Sequence, residues 1–297
     1  MNKLQFIREN YSTQEDCLNY LYAIKWRNDY RCSKCGHAHY CKGRTRHYRK
    51  CKSCHYDESA TSGTLFHRIK FSLVSAFEII YWLTETKKGM STVEVSAHFG
   101  ISQQAAWKFK KKIQLAMSQK DSQQLKGLIE VDEFVVGGKE KKAQGRSLGK
   151  KQIGLLGIET MINSKGKKGI RKAFCQAIDG YSSEDFRPFF ESRIEENAKI
   201  KTDKWTGYSP LKENYKIRMV YSRTGKSFKE LHYFIMNLKG WLRGIHHKIS
   251  PSHFQGYLDE FCYRFNNRYS KKPAWESLVD LMLKHIPVAA KNLYHGN

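Results

Sequence analysis

The stretch LIEVDEFVVGGK, residues 128–139, places an aspartate and two glutamates inside an apolar run of a heavily basic chain. Its β-branched and apolar residues predict a strand that ends at Gly137 and Gly138. Asp132 lies in the middle of this predicted strand, where burial of an unpaired carboxylate would be costly. Because a bound divalent metal would balance that charge, a metal site explains Asp132 better than a structural role does.

Further strand-like segments follow at residues 152–160 and 171–178, separated by the turn sequence NSKGKKG. Residues 182–197 predict a helix, and residues 198–203 predict a short strand that ends in an aspartate. Three strands, a helix and a fourth strand predict a mixed α/β (α+β) domain, for which a ribonuclease-H-like sheet is one option.

The two aspartates on these strands are candidate metal ligands. Asp132 lies on the first strand and Asp203 at the end of the fourth. If the two strands are neighbours, both carboxylates converge at one edge of the sheet. Paired carboxylates with room for two divalent ions are what phosphoryl transfer requires.

A third group of candidates lies in the segment KELHYFIMNLKGWLRGIHHK, whose apolar residues recur at helical spacing. On such a helix His232, Lys239 and Arg243 share one flank of the apolar stripe, and Glu230 and Asn237 share the other. Only one flank can face the two aspartates. A neutral imidazole can ligate a metal, whereas lysine and arginine bind phosphates.

Composition and charge limit the class of protein. With 40% hydrophobic and 13% aromatic residues among 297, the chain has the composition of a folded protein. A formal charge of +25 predicts a polyanionic partner, most often nucleic acid. The sequence has no long apolar stretch and no signal-peptide core, so we expect a cytoplasmic protein without a membrane partner.

Two cysteine pairs predict a structural zinc site near the N-terminus. Cys32 and Cys35 form one C-x-x-C pair, and Cys51 and Cys54 form another after a 15-residue spacer. Four thiolates close a tetrahedral Zn²⁺ site, and this spacing is typical of a zinc ribbon. The isolated cysteines are better explained as small buried hydrophobic residues: Cys17, Cys175 and Cys262.

The segment after the ribbon predicts a helix-turn-helix. A helical pattern runs from Phe71 to Gly89, Ser91 is a candidate N-cap for a short helix, and Gly100 and Ser102 suit a turn and a second cap. An ordinary helical hairpin with a solvated basic face is the alternative to DNA binding. The candidate base- and phosphate-binding residues of the second helix are Gln103, Gln104, Lys108, Lys110, Lys111 and Lys112.

Taken together, these segments resemble a DDE-type insertion-sequence transposase, close to the ISXO-like group that carries an N-terminal zinc ribbon. The resemblance covers most of residues 20–270, and its pieces occur in the family's order. They are RCSKCG…CKSC, ATSGTLFH, IEVDEFVVGGK, TDKWTGY, NLKGWLRGIHHKIS and YLDEFCYRFNNR.

The resemblance implies a ribonuclease-H-like catalytic core in which Asp132 and Asp203 hold catalytic Mg²⁺ or Mn²⁺. In this group the third acidic residue is often replaced by asparagine or histidine, with a lysine two helical turns later. His232 and Lys239 have that seven-residue separation. The resemblance therefore assigns the third position to His232 and the helper role to Lys239.

Other candidates for the third position stay open. Asn237 and Glu230 lie on the opposite flank of the same helix. Glu260, in the segment YLDEF, is a further acid of the part that resembles the family. An ion pair with Arg264 is the simpler explanation for Glu260.

The expected domains are an N-terminal helical segment (1–27), the zinc ribbon (28–66), the helix-turn-helix region (67–120), the catalytic domain (126–285) and a tail (286–297). As a transposase, the protein would bind double-stranded DNA at the terminal inverted repeats, cleave it and join it to target DNA. Such joining predicts a homodimer or larger synaptic assembly. The rival hypotheses are a zinc-dependent DNA-binding regulator without catalysis and an inactive transposase copy.

Overall fold

A computed structural model describes residues 3–118, 124–138, 146, 149, 151–222, 226–246 and 249–288. The helices described are α1 (Lys3–Asn10), α2 (Gln14–Lys25), α3 (Leu73–Glu85), α4 (Thr92–Phe99), α5 (Gln103–Met117), α6 (Ser183–Arg193), α7 (Lys229–Ile245), α8 (Pro251–Asn266) and α9 (Ala274–Lys284). The strands are β1 (Tyr40–Lys42), β2 (Tyr48–Cys51), β3 (Asp57–Ser59), β4 (Leu128–Val136), β5 (Gln152–Ile162), β6 (Lys168–Ile178), β7 (Lys199–Thr202) and β8 (Lys216–Met219). Among the residues described, no helix is both long and apolar enough to cross a membrane.

The chain divides into two compact units. One comprises Met1–Met117 together with Ser270–Asn297, and the other comprises Ser118–Tyr269. The first unit thus contains the ribbon, the helices that follow it and the last helix of the chain. The second unit contains the five-stranded sheet and the helices that cover it.

The return of α9 to the N-terminal unit differs from the expected catalytic domain, which extends to residue 285. Trp275 of α9 is buried, and its ring contacts those of Tyr11, Tyr20 and Phe77, with centroids 5.6, 6.1 and 6.4 Å away. An aromatic cluster of this kind buries a large apolar area. The core of the N-terminal unit is therefore completed by a helix from the far end of the sequence.

The ribbon is a small antiparallel sheet in the order β1-β2-β3, and α2 packs beside it. Arg49 of β2 places its guanidinium over the rings of Tyr40 and Trp26, at 4.1 and 4.8 Å from their centroids. Lys25 of α2 forms a buried ion pair of 2.8 Å with Glu58 of β3. These contacts attach the helix to a sheet that has little apolar surface of its own.

Helices α4 and α5 are joined by the tight turn that the sequence predicts. Ser91 caps α4 by accepting a hydrogen bond from the Glu94 amide, and Gly100 ends the helix in the left-handed region at φ 62°. Ser102 then accepts a hydrogen bond from the amide of Ala105 at the start of α5. Glycine suits this turn because a Cβ is strained at such a φ.

The second unit is a mixed sheet in the order β6-β5-β4-β7-β8. The first three strands pair antiparallel, whereas β4, β7 and β8 are parallel. This is the ribonuclease-H-like arrangement that was expected, and the first predicted strand matches β4 from residue 128 to 136. Strand β8 and helix α8 were not predicted from the sequence.

The two faces of the sheet are covered by different helices. Ile129 and Val131 of β4 belong to the core formed with α6, whereas Phe134 belongs to the core formed with α7 and α8. Because side chains alternate along a strand, Asp132 lies on the α7 face and Glu133 on the α6 face. The parallel ladder between β4 and β7 ends at the pair Glu130 and Lys201, so both acids lie just beyond it.

Candidate functional site

Three carboxylates meet where the parallel ladder between β4 and β7 ends. Asp132, Glu133 and Asp203 each offer one oxygen, and these oxygens all lie within 4.8 Å of one another. Asp203 immediately follows β7, and its Oδ1 accepts a 3.0 Å hydrogen bond from the amide of Trp205. The sheet topology therefore brings together the two aspartates that are 71 positions apart in the sequence, as the neighbouring-strand hypothesis predicts.

Glu133 was not among the predicted site residues. Burial and then the charge of Asp132 raise the pKa of its carboxyl group, and the hydroxyl of Tyr208 donates to it at 2.7 Å. The adjacent acid in VDEF was visible in the sequence, but period-two alternation places it on the opposite face from Asp132. The two carboxylates can approach one another because they lie at the open end of the ladder, beside Asp203.

A guanidinium group lies against this cluster. Arg146 donates from Nη2 to Asp203 at 2.7 Å and also forms a hydrogen-bonded ion pair with Glu133. Its guanidinium lies over the ring of Trp205, 4.3 Å from the centroid. The carboxylates therefore already contact a cationic side chain of the protein, and no sequence pattern distinguishes this arginine from the others.

One flank of α7 faces the cluster. His232 places Nε2 3.2 Å from Oδ2 of Asp132, and this hydrogen bond raises the pKa of the imidazole. Lys239 and Arg243 line the same cavity of about 550 Å³ as the carboxylates Asp132 and Glu133. Burial, with help from Arg243, lowers the pKa of Lys239. These are the three residues that helical spacing placed on one flank.

The opposite flank of α7 faces away from the cluster. Glu230 and Asn237 line a separate cavity of about 250 Å³, and Glu230 lies 3.6 Å from Lys168. Glu260 is buried on α8, where its charge opposes the lowering of the Arg264 pKa that burial causes. The geometry therefore favours His232 over these acids and this amide as the third group of the site.

The four predicted zinc ligands converge in the ribbon. The sulfur of Cys32 lies 3.5 Å from that of Cys54, and the sulfur of Cys35 lies 3.6 Å from that of Cys51. A tetrahedral site with Zn–S bonds of about 2.3 Å requires sulfurs about 3.8 Å apart, so the cluster fits Zn²⁺. Burial opposes ionisation of Cys32, but backbone amides and neighbouring thiols lower its pKa to about 6.

The carboxylate cluster fits a different class of metal. Its donors are oxygens with one imidazole nearby, and hard divalent cations such as Mg²⁺ and Mn²⁺ prefer oxygen ligands. Three carboxylates this close repel one another unless a cation balances them. The ribbon and the sheet thus provide two candidate metal sites, one with four thiolate ligands and one with carboxylate ligands.

The predicted DNA-binding residues of α5 divide into two sets. Gln103 and Gln104 are exposed, and Lys108 and Lys111 are half-buried. These four residues form a stripe at helical spacing along the start and middle of α5, which is the candidate nucleic-acid surface of this helix.

Two lysines of α5 differ from the prediction. Lys110 is buried, and its amine donates to the carbonyl oxygen of Met90 at 2.7 Å. Lys112 donates to the carbonyl oxygen of His67 at 2.9 Å, and burial lowers the pKa of its amine. Both amines therefore donate hydrogen bonds to backbone carbonyls of their own unit. The spacing of residues along one helix could not predict these contacts.

Known protein families match the two regions that contain the carboxylate cluster and the four cysteines. Residues 124–266 match the ISXO2-like transposase domain, and residues 12–57 match the transposase zinc-ribbon domain. The first match contains the carboxylates and α7, and the second contains α2 and the four cysteines. No curated protein matches the chain.

Proposed function

Because the chain belongs to the ISXO2-like transposases that carry a zinc ribbon, we propose that it binds the terminal inverted repeats of its element and catalyses metal-dependent strand cleavage and strand transfer. The reaction class is in-line displacement at phosphorus, first by water and then by the freed 3′-hydroxyl.

The observation that carries the proposal is the meeting of Asp132, Glu133 and Asp203 beside a cavity lined by basic residues. Structural carboxylates on strands are ordinarily dispersed or paired with one cation each. Here three of them share one small volume just beyond the parallel ladder of β4 and β7. Lys239 and Arg243 in the cavity wall add the positive charge that a phosphodiester needs.

Each side chain has a role in this proposal. Divalent metal held by the carboxylates would activate the attacking oxygen and stabilise charge on the leaving oxygen. His232 orients Asp132 through their 3.2 Å hydrogen bond and supplies a nitrogen at the third position. Lys239 and Arg243 bind the phosphates on either side of the scissile bond, so that the phosphorus is fixed in line with the attacking oxygen.

DNA recognition falls to the N-terminal unit. The zinc ribbon and the stripe of α5 would contact the element's ends. Gln103 and Gln104 would contact base edges, and Lys108 and Lys111 would contact phosphates. Joining two ends requires two catalytic centres in one complex, so we include a homodimer or larger assembly in the proposal. Sedimentation of the complex with end DNA measures that assembly directly.

The test of catalysis is strand transfer of labelled duplexes that carry the sequences flanking the gene, with Mg²⁺ or Mn²⁺ and a supercoiled target plasmid. Wild type should join ends, and Asp203→Asn should bind the same duplex but lose joining by about 1,000-fold or more, the scale on which a transition-state electrostatic group acts. His232→Ala should be impaired, whereas the matched change Glu230→Ala, on the other flank of α7, should not be.

The rival regulator hypothesis makes the opposite prediction for the same variants. A regulator would bind the end and repress transcription equally well with alanine at Asp132, and wild type would never cut DNA under either metal. A wild type that binds ends specifically but shows no cleavage would therefore overturn the catalytic proposal for this copy.

The recognition helix is tested with a matched pair of lysines. Lys108→Gln should reduce the slope of log Kd against log salt by about one unit, as expected for one lost phosphate contact. Lys110→Met should leave that slope unchanged, because the Lys110 amine is buried on the Met90 carbonyl. Equal slopes for wild type and Lys108→Gln would remove α5 from the proposed interface.

A further inference from the structure

The guanidinium of Arg146 occupies an unusual place for a structural ion pair. It bridges Glu133 and Asp203, carboxylates from two parallel strands that both belong to the candidate metal cluster. Its opposite side is supported by the ring of Trp205, whose indole nitrogen is in turn fixed by donation to the carbonyl oxygen of Tyr181 at 2.7 Å. The charge is thus directed at the oxygens that a metal would need.

Electrostatics explain why a cation belongs there before any metal binds. The oxygens of three carboxylates lie within 4.8 Å of one another, so three ionised groups in this volume repel unless a cation balances them. A guanidinium neutralises one charge and satisfies two acceptors with a rigid fork. It holds the carboxylates of Glu133 and Asp203 together, but it also occupies oxygens that could otherwise bind a metal.

We infer that Arg146 is the internal counter-cation of the metal centre, which holds Glu133 and Asp203 in place before metal binds and competes with divalent metal for their oxygens. The inference rests on the metal centre of the proposed function. It gives Arg146 a positioning role, because the residue acts through two carboxylates.

Competition predicts the direction in which metal affinity changes when Arg146 is replaced. If the arginine must leave the carboxylates before metal binds, the free energy of its contacts is subtracted from that of metal binding. Its removal therefore tightens metal binding. An arginine that belongs to the metal-loaded site, or that only stabilises the fold, gives the opposite sign or no change. Trp205 allows the guanidinium to leave the carboxylates while it stays within the cavity, since cation–π attraction does not require either acid.

The test is to titrate Mn²⁺ into the zinc-loaded, full-length protein without DNA. Binding is measured from the electron paramagnetic resonance signal of the free Mn²⁺. Arg146→Gln should bind Mn²⁺ about tenfold more tightly than wild type, the change expected when charge-assisted hydrogen bonds no longer compete. Arg146→Lys, which keeps the charge but not the fork, should fall between the two. Arg243→Gln removes the same charge from the same cavity wall and should change the affinity by less than about threefold.

A second measurement separates competition from a general gain in affinity. Without divalent metal, Arg146→Gln should melt at a lower temperature than wild type, and saturating Mn²⁺ should raise its melting temperature more than that of wild type. Mn²⁺ affinity in Arg146→Gln that equals or falls below that of wild type would overturn the inference, and so would equal tightening in Arg243→Gln.

The two proposals fail in different ways. If wild type binds no Mn²⁺, or if Asp203→Asn binds Mn²⁺ as wild type does, the metal centre itself is absent and the proposed catalytic function fails with it. If Asp203→Asn abolishes binding but Arg146→Gln does not tighten it, the metal centre stands and only the role of Arg146 is wrong.

Discussion

The ribbon and the sheet both gather metal-binding side chains, but they do so by different means. The ribbon's four thiolates come from two short knuckles within 23 residues, Cys32 to Cys54. The sheet's carboxylates come from two strands separated by 71 positions, with His232 on a helix beyond them. One site is specified by local spacing, whereas the other exists only when β4 and β7 pair.

This contrast predicts different dependence on metal. The ribbon strands are three or four residues long and cannot bury enough apolar surface to fold without the ion. The sheet has large apolar cores on both faces, so its fold precedes its metal. We therefore expect zinc to contribute to the stability of the ribbon, and a divalent metal at the carboxylates to bind a sheet that is already folded.

The largest expected effect is loss of the zinc site. Structural zinc contributes about 10–16 kcal/mol of apparent binding free energy in zinc-finger peptides, so Cys51→Ser should unfold the ribbon. Zinc content and limited proteolysis of the region around residue 50 measure this. Cys41→Ser, which changes an exposed thiol of the same ribbon, should keep full zinc content. If the Cys51→Ser ribbon stays folded and resists the protease, the ribbon does not need its metal to fold and does not differ from the sheet in this respect.

A smaller effect is expected at the buried ion pair that attaches α2 to the ribbon. Lys25→Met leaves Glu58 buried without its 2.8 Å partner, which should cost about 3–5 kcal/mol of unfolding free energy. Arg44→Met, which breaks an exposed pair of the same length with Asp57, should cost less than about 1 kcal/mol. Denaturant melts of the zinc-loaded protein compare the two. Similar costs would mean that zinc alone stabilises the ribbon.

A still smaller effect is expected at the histidine beside the carboxylates. His232→Ala should weaken Mn²⁺ binding by about 10–100-fold, the usual consequence of losing a group that ligates or orients a metal ligand. Zinc content should not change, because the ribbon's ligand set is separate. Glu230→Ala, on the other flank of α7, is the control and should retain wild-type Mn²⁺ affinity. If both variants bind Mn²⁺ as wild type does, the carboxylates hold the metal without the helix.

The smallest expected effect is on the stability of the metal-free sheet. Asp203→Asn removes one of three mutually repelling carboxylates but also its ion pair with Arg146. These changes oppose one another, so the free energy of unfolding without divalent metal should change by no more than about 1 kcal/mol. Thermal melts with and without Mn²⁺ should show that the variant has lost the stabilisation by metal. A large loss of metal-free stability would make Asp203 structural and would bring the sheet closer to the ribbon.

Much of this site could be predicted from residue patterns. The alternation in LIEVDEFVV gave the strand that carries Asp132, and helical spacing put His232, Lys239 and Arg243 on one flank. That Glu133 joins the cluster could not be predicted, because alternation correctly places it on the opposite face of β4 from Asp132. Arg146 lies outside every strand and helix that the sequence predicts. The inward direction of Lys110 and Lys112 depends on the carbonyls of Met90 and His67, which no single-helix pattern includes.

The boundary of the N-terminal unit shows the same limit. Helix α9 was not predicted, and its segment was assigned to the catalytic domain (126–285), because the sequence of a segment does not show which core it joins. Its Trp275 instead completes an aromatic cluster with Tyr11, Tyr20 and Phe77.

The sequence by itself predicted the candidate zinc ligands, most strands and helices of the sheet domain and the candidate catalytic residues, because each of these depends on the spacing of side chains within one short segment. The tertiary structure alone decided which flank of α7 faces the aspartates, that Glu133 joins them, that Arg146 balances them and where α9 packs. These outcomes depend on the order and pairing of strands that are distant in the chain. Such pairing is selected by burial of whole faces and not by the chemistry of any one residue.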